Sequence, residues 1–198
     1  MLATNSIRFW IVFIPLIGIF SLASWLTYDT IFHATSDYEF CTSCHSHKPI
    51  GTSYLEDVHG GNNTVGFRAT CSQCHIPQDN SFNYLWVKSL HGVIDPTMEL
   101  LKDPHDIDWH GHREKRESYT YDSGCLSCHK FLQEKTLANT KAFLPHRRYF
   151  LNSENQQDSE KLSCVGCHKH VGHKNLGLHL EQHGWKNSQN NETSSQGD

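Results

Sequence analysis

Cys41-Thr42-Ser43-Cys44-His45 is a phrase that recurs as Cys71-Ser72-Gln73-Cys74-His75, Cys125-Leu126-Ser127-Cys128-His129 and Cys164-Val165-Gly166-Cys167-His168. The chain has eight Cys, and these four copies use all of them. Cys-x-x-Cys-His is the attachment signature of c-type haem. On one helical turn, residues three and four apart are neighbours. Two thiols then reach the two vinyl groups of one porphyrin, and the following His reaches its iron. Paired Cys also serve zinc sites and, in exported chains, disulfides. Neither use requires a His directly after each pair, and here every pair has one. The pattern predicts four covalently bound haem c groups.

Composition agrees with that reading. Of 198 residues 37% are hydrophobic, and the mean hydropathy is -0.57 even with one long apolar run included. Few aliphatic residues remain to build a core, so four porphyrins would supply the apolar mass. The apo-chain is expected to be largely unfolded, as metal-dependent small domains are. The formal net charge of -4 argues against nucleic acid as a partner. Of sixteen His, four belong to the motifs, which leaves twelve for other duties, distal iron ligation among them.

The apolar run is Phe9 to Tyr28, with no ionisable group before its terminal Tyr. Twenty residues of helix reach about 30 Å, one bilayer core. Trp10, Trp25 and Tyr28 lie near its ends, as an aromatic belt would. Arg8 favours a cytoplasmic start, which sends the rest to the periplasm. A cleaved signal peptide is the rival, with Ser21-Leu22-Ala23 as a passable site. Trp25 and Leu26 continue the apolar run past that site, which favours an uncleaved anchor. Twelve residues separate Tyr28 from Cys41, so the first haem is expected near the membrane surface.

Phe82 to Asp95 has apolar residues at helical spacing: Phe82, Leu85, Trp86, Leu90, Val93 and Ile94. Such a helix packs on haem edges, lies on the bilayer, or does both. Lys88 and Asp95, seven apart, share one face. An acid and a base at membrane level suit proton acceptance from a quinol, though a solvated pair is the plainer account. His47 stands two positions after His45 and competes for the same iron. His105, His110 and His112 fall in a charged stretch, 103–117, that reads as a connecting loop. Leu176 to Trp185, with His179 and His183, reads as a short amphipathic helix. Residues 186–198 are polar and aperiodic and read as a structureless tail. No Walker loop, dinucleotide fingerprint or nucleophile elbow is present.

One anchor followed by motifs starting 30, 54 and 39 residues apart resembles the NapC/NirT/NrfH family of membrane-anchored tetrahaem cytochromes c. HATSDYEFCTSCHSH at the first motif, VHGG, GFRATCSQCHIP around the second and CVGCHKHVGH at the fourth carry the resemblance, which covers about residues 7–177. It implies quinol oxidation in the inner membrane and electron delivery to a periplasmic reductase. It implies His75, His129 and His168 as proximal ligands of haems two, three and four. It implies His173 as distal ligand of haem two, His59 of haem four and His146 of haem three; having His146 tilts the chain toward NapC-like or CymA-like members. Asp95 and Lys88 match the acidic and basic residues of the family's quinol pocket. The departure is at haem one, where several members carry Met and this chain has His47. Either His45 ligates that iron with an open sixth site, or His47 takes over.

The expected fold is therefore mainly α with much irregular structure: one N-terminal transmembrane helix plus a compact multihaem domain. The expected divisions are a cytoplasmic start at 1–8, an anchor at 9–28, a periplasmic tetrahaem domain at 29–185 and the tail. The expected function is electron transfer from menaquinol or ubiquinol to a periplasmic reductase or soluble cytochrome, by a single-pass inner-membrane protein that is monomeric or homodimeric. Whether that makes the chain a quinol dehydrogenase in its own right stays open. The rivals are a relay or anchor subunit that does not touch quinol, and a haem-based terminal reductase.

Overall fold

The computed structural model describes residues 2–154 and 162–185. The expectation for 186–198 lies outside the described residues. Among these residues there is no strand.

Helix α1, Leu2–Ala34, carries the apolar run and six residues beyond it. Its stretch Ile7–Ala34 is 28 residues long with a hydropathy of 2.1, and its most apolar 18-residue window is unburied by the rest of the chain. Pro15 sits inside it without ending it. The remainder is short helices: α2 Tyr38–Cys41, α3 Lys48–Leu55 and α4 Cys71–His75. Then come α5 Ser81–Leu101, α6 Trp109–Glu114, α7 Asp122–Cys128 and α8 Leu132–Thr136. Last are α9 Thr140–Glu154, α10 Cys164–Cys167 and α11 Leu176–Gln182.

The local chemistry explains these turns. In α4 the Gln73 side chain reaches back to accept from the Thr70 N–H at 2.7 Å, half of a capping box. Ahead of α10 the Ser163 hydroxyl accepts from Gly166 N–H at 3.0 Å. Each cap starts a helical turn immediately before the first Cys, which sets the two thiols of a motif on one face. Asn80 caps α5 by accepting from Asn83 N–H at 2.8 Å. The stretch 103–117 departs from the expected loop. Asp108 accepts from Gly111 N–H and starts α6, and His110 Nε2 donates to the Trp185 carbonyl at 3.0 Å, burying the ring. Trp185 lies 75 residues away in the chain, which is why a local reading misses this contact.

The hydrophobic core is small. Tyr54, Ala69, Ile76, Val165, Leu180 and Trp185 are its buried members. Leu180 of α11 packs on α3, where Lys174 N–H donates to the Ser53 carbonyl. Motif helices also touch directly: Tyr121 N–H donates to Cys74 O at 3.0 Å, and Cys164 N–H to Asp122 Oδ1 at 2.9 Å. Gly124 makes the α4–α7 contact possible, since a Cβ there would stand 1.9 Å from the Gln73 carbonyl oxygen. Gly124→Ala is expected to cost about 1–3 kcal/mol of stability by overpacking. Thermal melting of the haem-loaded protein measures it; an unchanged melting temperature would show that the two motifs part freely.

Candidate haem-binding and quinol-proximal site

All eight Cys are free thiols, and all eight line one cavity of about 2430 Å³. An ordinary ligand pocket is roughly 300–1,000 Å³. The thiols of neighbouring motifs lie against each other. A hydrogen bond between Cys41 and Cys71 lowers the Cys41 pKa and raises that of Cys71. The same bond between Cys125 and Cys164 lowers the first and raises the second. With α4 on α7, the motifs are neighbours in the order one, two, three, four.

Three pairs of imidazoles face one another in this cavity. His75 and His173 have ring centroids 6.1 Å apart, His59 and His129 6.3 Å, and His146 and His168 6.0 Å. A metal–imidazole bond is about 2 Å long, so two bonds end to end plus the depth of two rings come to about 6 Å. Hydrogen bonds fix the tautomers. His75 Nδ1 donates to the Tyr119 carbonyl at 2.6 Å, His173 Nδ1 to the Ile50 carbonyl at 3.2 Å and His59 Nδ1 to Asp57 at 2.9 Å. A carbonyl or carboxylate only accepts, so Nδ1 carries the proton and Nε2 is left for a metal. Burial pushes the His173 pKa down to about 4 and lowers that of His75, which keeps both rings neutral. His146 Nδ1 is buried with no hydrogen-bond partner. Paired free thiols, facing imidazoles and the volume between them fit covalently attached haem. The pairing of His75 with His173 is the one the resemblance implies. For the other two the structure brings together His59 with His129 and His146 with His168, the opposite of the implied combination.

At the first motif the two candidate ligands separate. His45 is exposed and does not line the cavity, whereas His47 does. Cys44 Sγ, a His47 ring nitrogen and a Glu99 carboxylate oxygen lie within 4.8 Å of one another. Ser46 Oγ donates to Glu99 at 2.5 Å and lies 3.0 Å from His47 Nδ1. Since the one hydroxyl proton goes to Glu99, His47 Nδ1–H donates to Ser46.

Helix α5 brings its polar face to the same place. Lys88, His91 and Asp95 line the cavity with Cys41, Cys44 and His47. Lys88 and Asp95 share the expected face but are not each other's partners. Lys88 is buried; its ammonium donates to the Phe32 carbonyl and the Ser36 hydroxyl and sits 4.0 Å from the Phe32 ring centroid. Burial holds its pKa below the usual lysine value. Asp95 instead receives His91, whose Nδ1 is 3.2 Å from both carboxylate oxygens. Sequence reasoning passed over His91 and Glu99. The i, i+4 spacing of His91 and Asp95 was the available signal.

The sequence model described as "NapC/NirT cytochrome c family, N-terminal region" matches residues 4–177. The chain belongs to this family. Family membership implies covalent haem c, and the family's membrane anchoring agrees with α1. Among relatives, the cytochrome c-type protein TorY of Escherichia coli O157:H7 is 31% identical over 150 residues, 71% of this chain and 38% of that protein. The cytochrome c-type protein NapC of Escherichia coli (strain K12) is 26% identical over 160 residues, 76% of this chain and 74% of that one. The tetraheme c-type cytochrome CymA of Shewanella oneidensis is 28% identical over 151 residues, 71% and 78% respectively. The chain thus spans about two fifths of TorY and about three quarters of the other two. A solved structure of the cytochrome c nitrite reductase NrfHA complex bound to the HQNO inhibitor shares the fold. Its TM-score is 0.55 at 23% identity, covering 82% of this chain and 90% of that one.

Proposed function

We propose that the chain oxidises menaquinol or ubiquinol at the inner membrane and delivers the electrons, through four covalently attached haems, to a periplasmic redox partner. One observation carries this reading. Asp95 and His91 line the same cavity as Cys41, Cys44 and His47, where Lys88 ties α5 to the C-terminal end of the apolar helix. An acid–base pair, an attachment motif and the end of a membrane anchor thus coincide.

Haem c supplies one-electron redox chemistry when bound. The chain does the rest. The eight Cys would hold the groups, and three ring pairs, His75/His173, His59/His129 and His146/His168, would serve the irons of motifs two to four. His47, which lines the cavity where His45 does not, would be the ligand at motif one. Oxidising a quinol releases two protons and two electrons. The Asp95 carboxylate accepts the two protons one at a time, and His91, bonded to it, passes each on. Lys88 is fully engaged and serves as a strut between α1 and α5. Residues 9–28 form the anchor, with 1–8 on the cytoplasmic side and 29–185 in the periplasm. The outer face of α5 supports this placement: Phe82, Trp86 and Leu100 are exposed, as an interfacial helix would have them.

Full-length, haem-loaded protein in liposomes tests the reading. Menaquinol is expected to reduce the haem absorption bands within seconds, and HQNO to slow the reaction. If dithionite reduces the protein fully while menaquinol does not exceed the protein-free rate, the chain is a relay or anchor subunit instead.

A further inference from the structure

The helices beside motifs three and four carry an unexplained surface. Lys130 to Glu154, covering α8 and α9, holds five basic and two acidic residues, net +3. Residues 29–129 hold seven basic and fourteen acidic, net -7. The α8–α9 hairpin is thus a basic lobe on an acidic body. It is also apolar outside: Phe131, Leu137, Leu144 and Leu151 are 48–63% exposed. On α9, Leu144, Arg147 and Leu151 stand at i, i+3 and i+7, one face of the helix. The other face, Ala142, His146 and Tyr149, lines the cavity. Tyr149 OH donates to Asp122 of α7 at 2.8 Å, and the His146 and His168 planes lie within 9° of each other. A partner seated on α9 is therefore one helix away from motifs three and four, the opposite end of the motif order from α1 and α5.

We propose that the α8–α9 hairpin is the docking surface for the electron acceptor, and that this acceptor is a soluble redox protein with an acidic rim around an apolar patch. The inference rests on the electron-transfer reading but not on quinol oxidation. Charge selects the partner: a basic rim steers an acidic protein in and repels a basic one, and salt weakens both effects. Four exposed apolar side chains supply the contact that survives salt. The bilayer also accepts basic, apolar helices, but its place is taken by α1 and α5 at motif one. No atom or proton moves in the encounter. Haem held by motifs three and four would supply the single electron by going from ferrous to ferric, and the acceptor would be reduced by one.

The test uses full-length, haem-loaded protein reduced with dithionite, so it works whether or not the chain oxidises quinol. The probes are plastocyanin, which has an acidic patch, and a basic mitochondrial-type cytochrome c. Copper(I) plastocyanin exchanges no electrons with the reduced protein, so its titration reads binding alone. It is expected to bind at low salt and to weaken as salt rises. Lys135→Glu with Arg147→Glu is expected to weaken binding about tenfold or more and to slow reduction of copper(II) plastocyanin in proportion. Leu144→Ser is expected to weaken binding without changing its salt dependence. Cytochrome c is not slowed by the charge reversal. Plastocyanin binding untouched by the charge reversal overturns the proposal. So does a dimer that sediments as a monomer after Leu144→Ser, which gives the face to a second copy. A spin label at position 144 quenched by lipid-soluble oxygen gives the face to the bilayer and overturns the proposal as well.

Discussion

Asp95→Asn is expected to slow haem reduction by menaquinol in liposomes by about 10²- to 10⁴-fold, the range by which a positioned general base accelerates proton transfer. The isosteric amide keeps the helix and the hydrogen-bonding shape but cannot hold a proton. His91→Gln is expected to cost less, about tenfold, because Asp95 still accepts the first proton and only the onward route is lost. The two effects should not add, since both residues act on one proton path. Lys88→Met should behave differently. Its ammonium is bonded to Phe32 O and Ser36 Oγ, so the loss falls on the α1–α5 junction. A lower melting temperature with a comparatively preserved reduction rate is expected. Stopped-flow reduction of the three variants, beside their dithionite-reduced spectra, decides between these roles. If Lys88→Met abolishes reduction with an unchanged melting temperature while Asp95→Asn is as fast as wild type, the proton acceptor has been misassigned.

That contrast between Lys88 and His91 shows what the sequence held and what it withheld. Spacing placed Lys88 and Asp95 on one face, and the structure agrees that both line the cavity. Spacing says nothing of what a side chain is already bonded to. Lys88 is claimed by Phe32, 56 residues earlier, and only the fold brings that carbonyl to it. The four Cys-x-x-Cys-His motifs are local phrases and so can be read from sequence, and the structure brings all eight of their thiols to one cavity. The helix over Phe82 to Asp95 was legible because its apolar stripe has a helical period, and the structure extends it to Ser81–Leu101. The distal His partners were not legible from residues alone. His59 and His129 are 70 positions apart, and no local rule sets which facing ring completes which site. The resemblance assigned His59 to haem four and His146 to haem three, whereas the structure sets His59 against His129 and His146 against His168. Scarcity of core also read through: the six buried hydrophobic residues among the described ones cannot hold this many short helices, and the cavity beside them is where the apolar mass belongs.

His47→Met is expected to raise the potential of the motif-one haem on the order of 100 mV, a fraction of the ≈ 0.8 V span that axial ligands command. The structure puts a ring nitrogen of this residue within 4.8 Å of the Cys44 thiol, in a cavity that His45 does not line. Its Nδ1–H donates to Ser46, and Ser46 in turn donates to Glu99. Burial alone would raise the Glu99 pKa, but the Ser46 hydrogen bonds hold it below the usual carboxylate value, so a full negative charge stands at the end of that chain. A carboxylate pulling on the far side of an imidazole makes Nε2 a stronger donor and the ferric state more stable. Ligand and relay thus both lower the potential at which electrons enter. A low entry potential suits the more reducing quinol, so wild type should be reduced extensively by menaquinol and poorly by ubiquinol. His47→Met should let ubiquinol reduce motif one, and Glu99→Gln should move the potential the same way by less. His45→Ala should leave the potential where it is. Redox titration of the three variants with electron paramagnetic resonance at each step separates the cases. A potential that responds to His45→Ala and ignores His47→Met would return the iron to His45 and with it an open sixth position at the membrane surface.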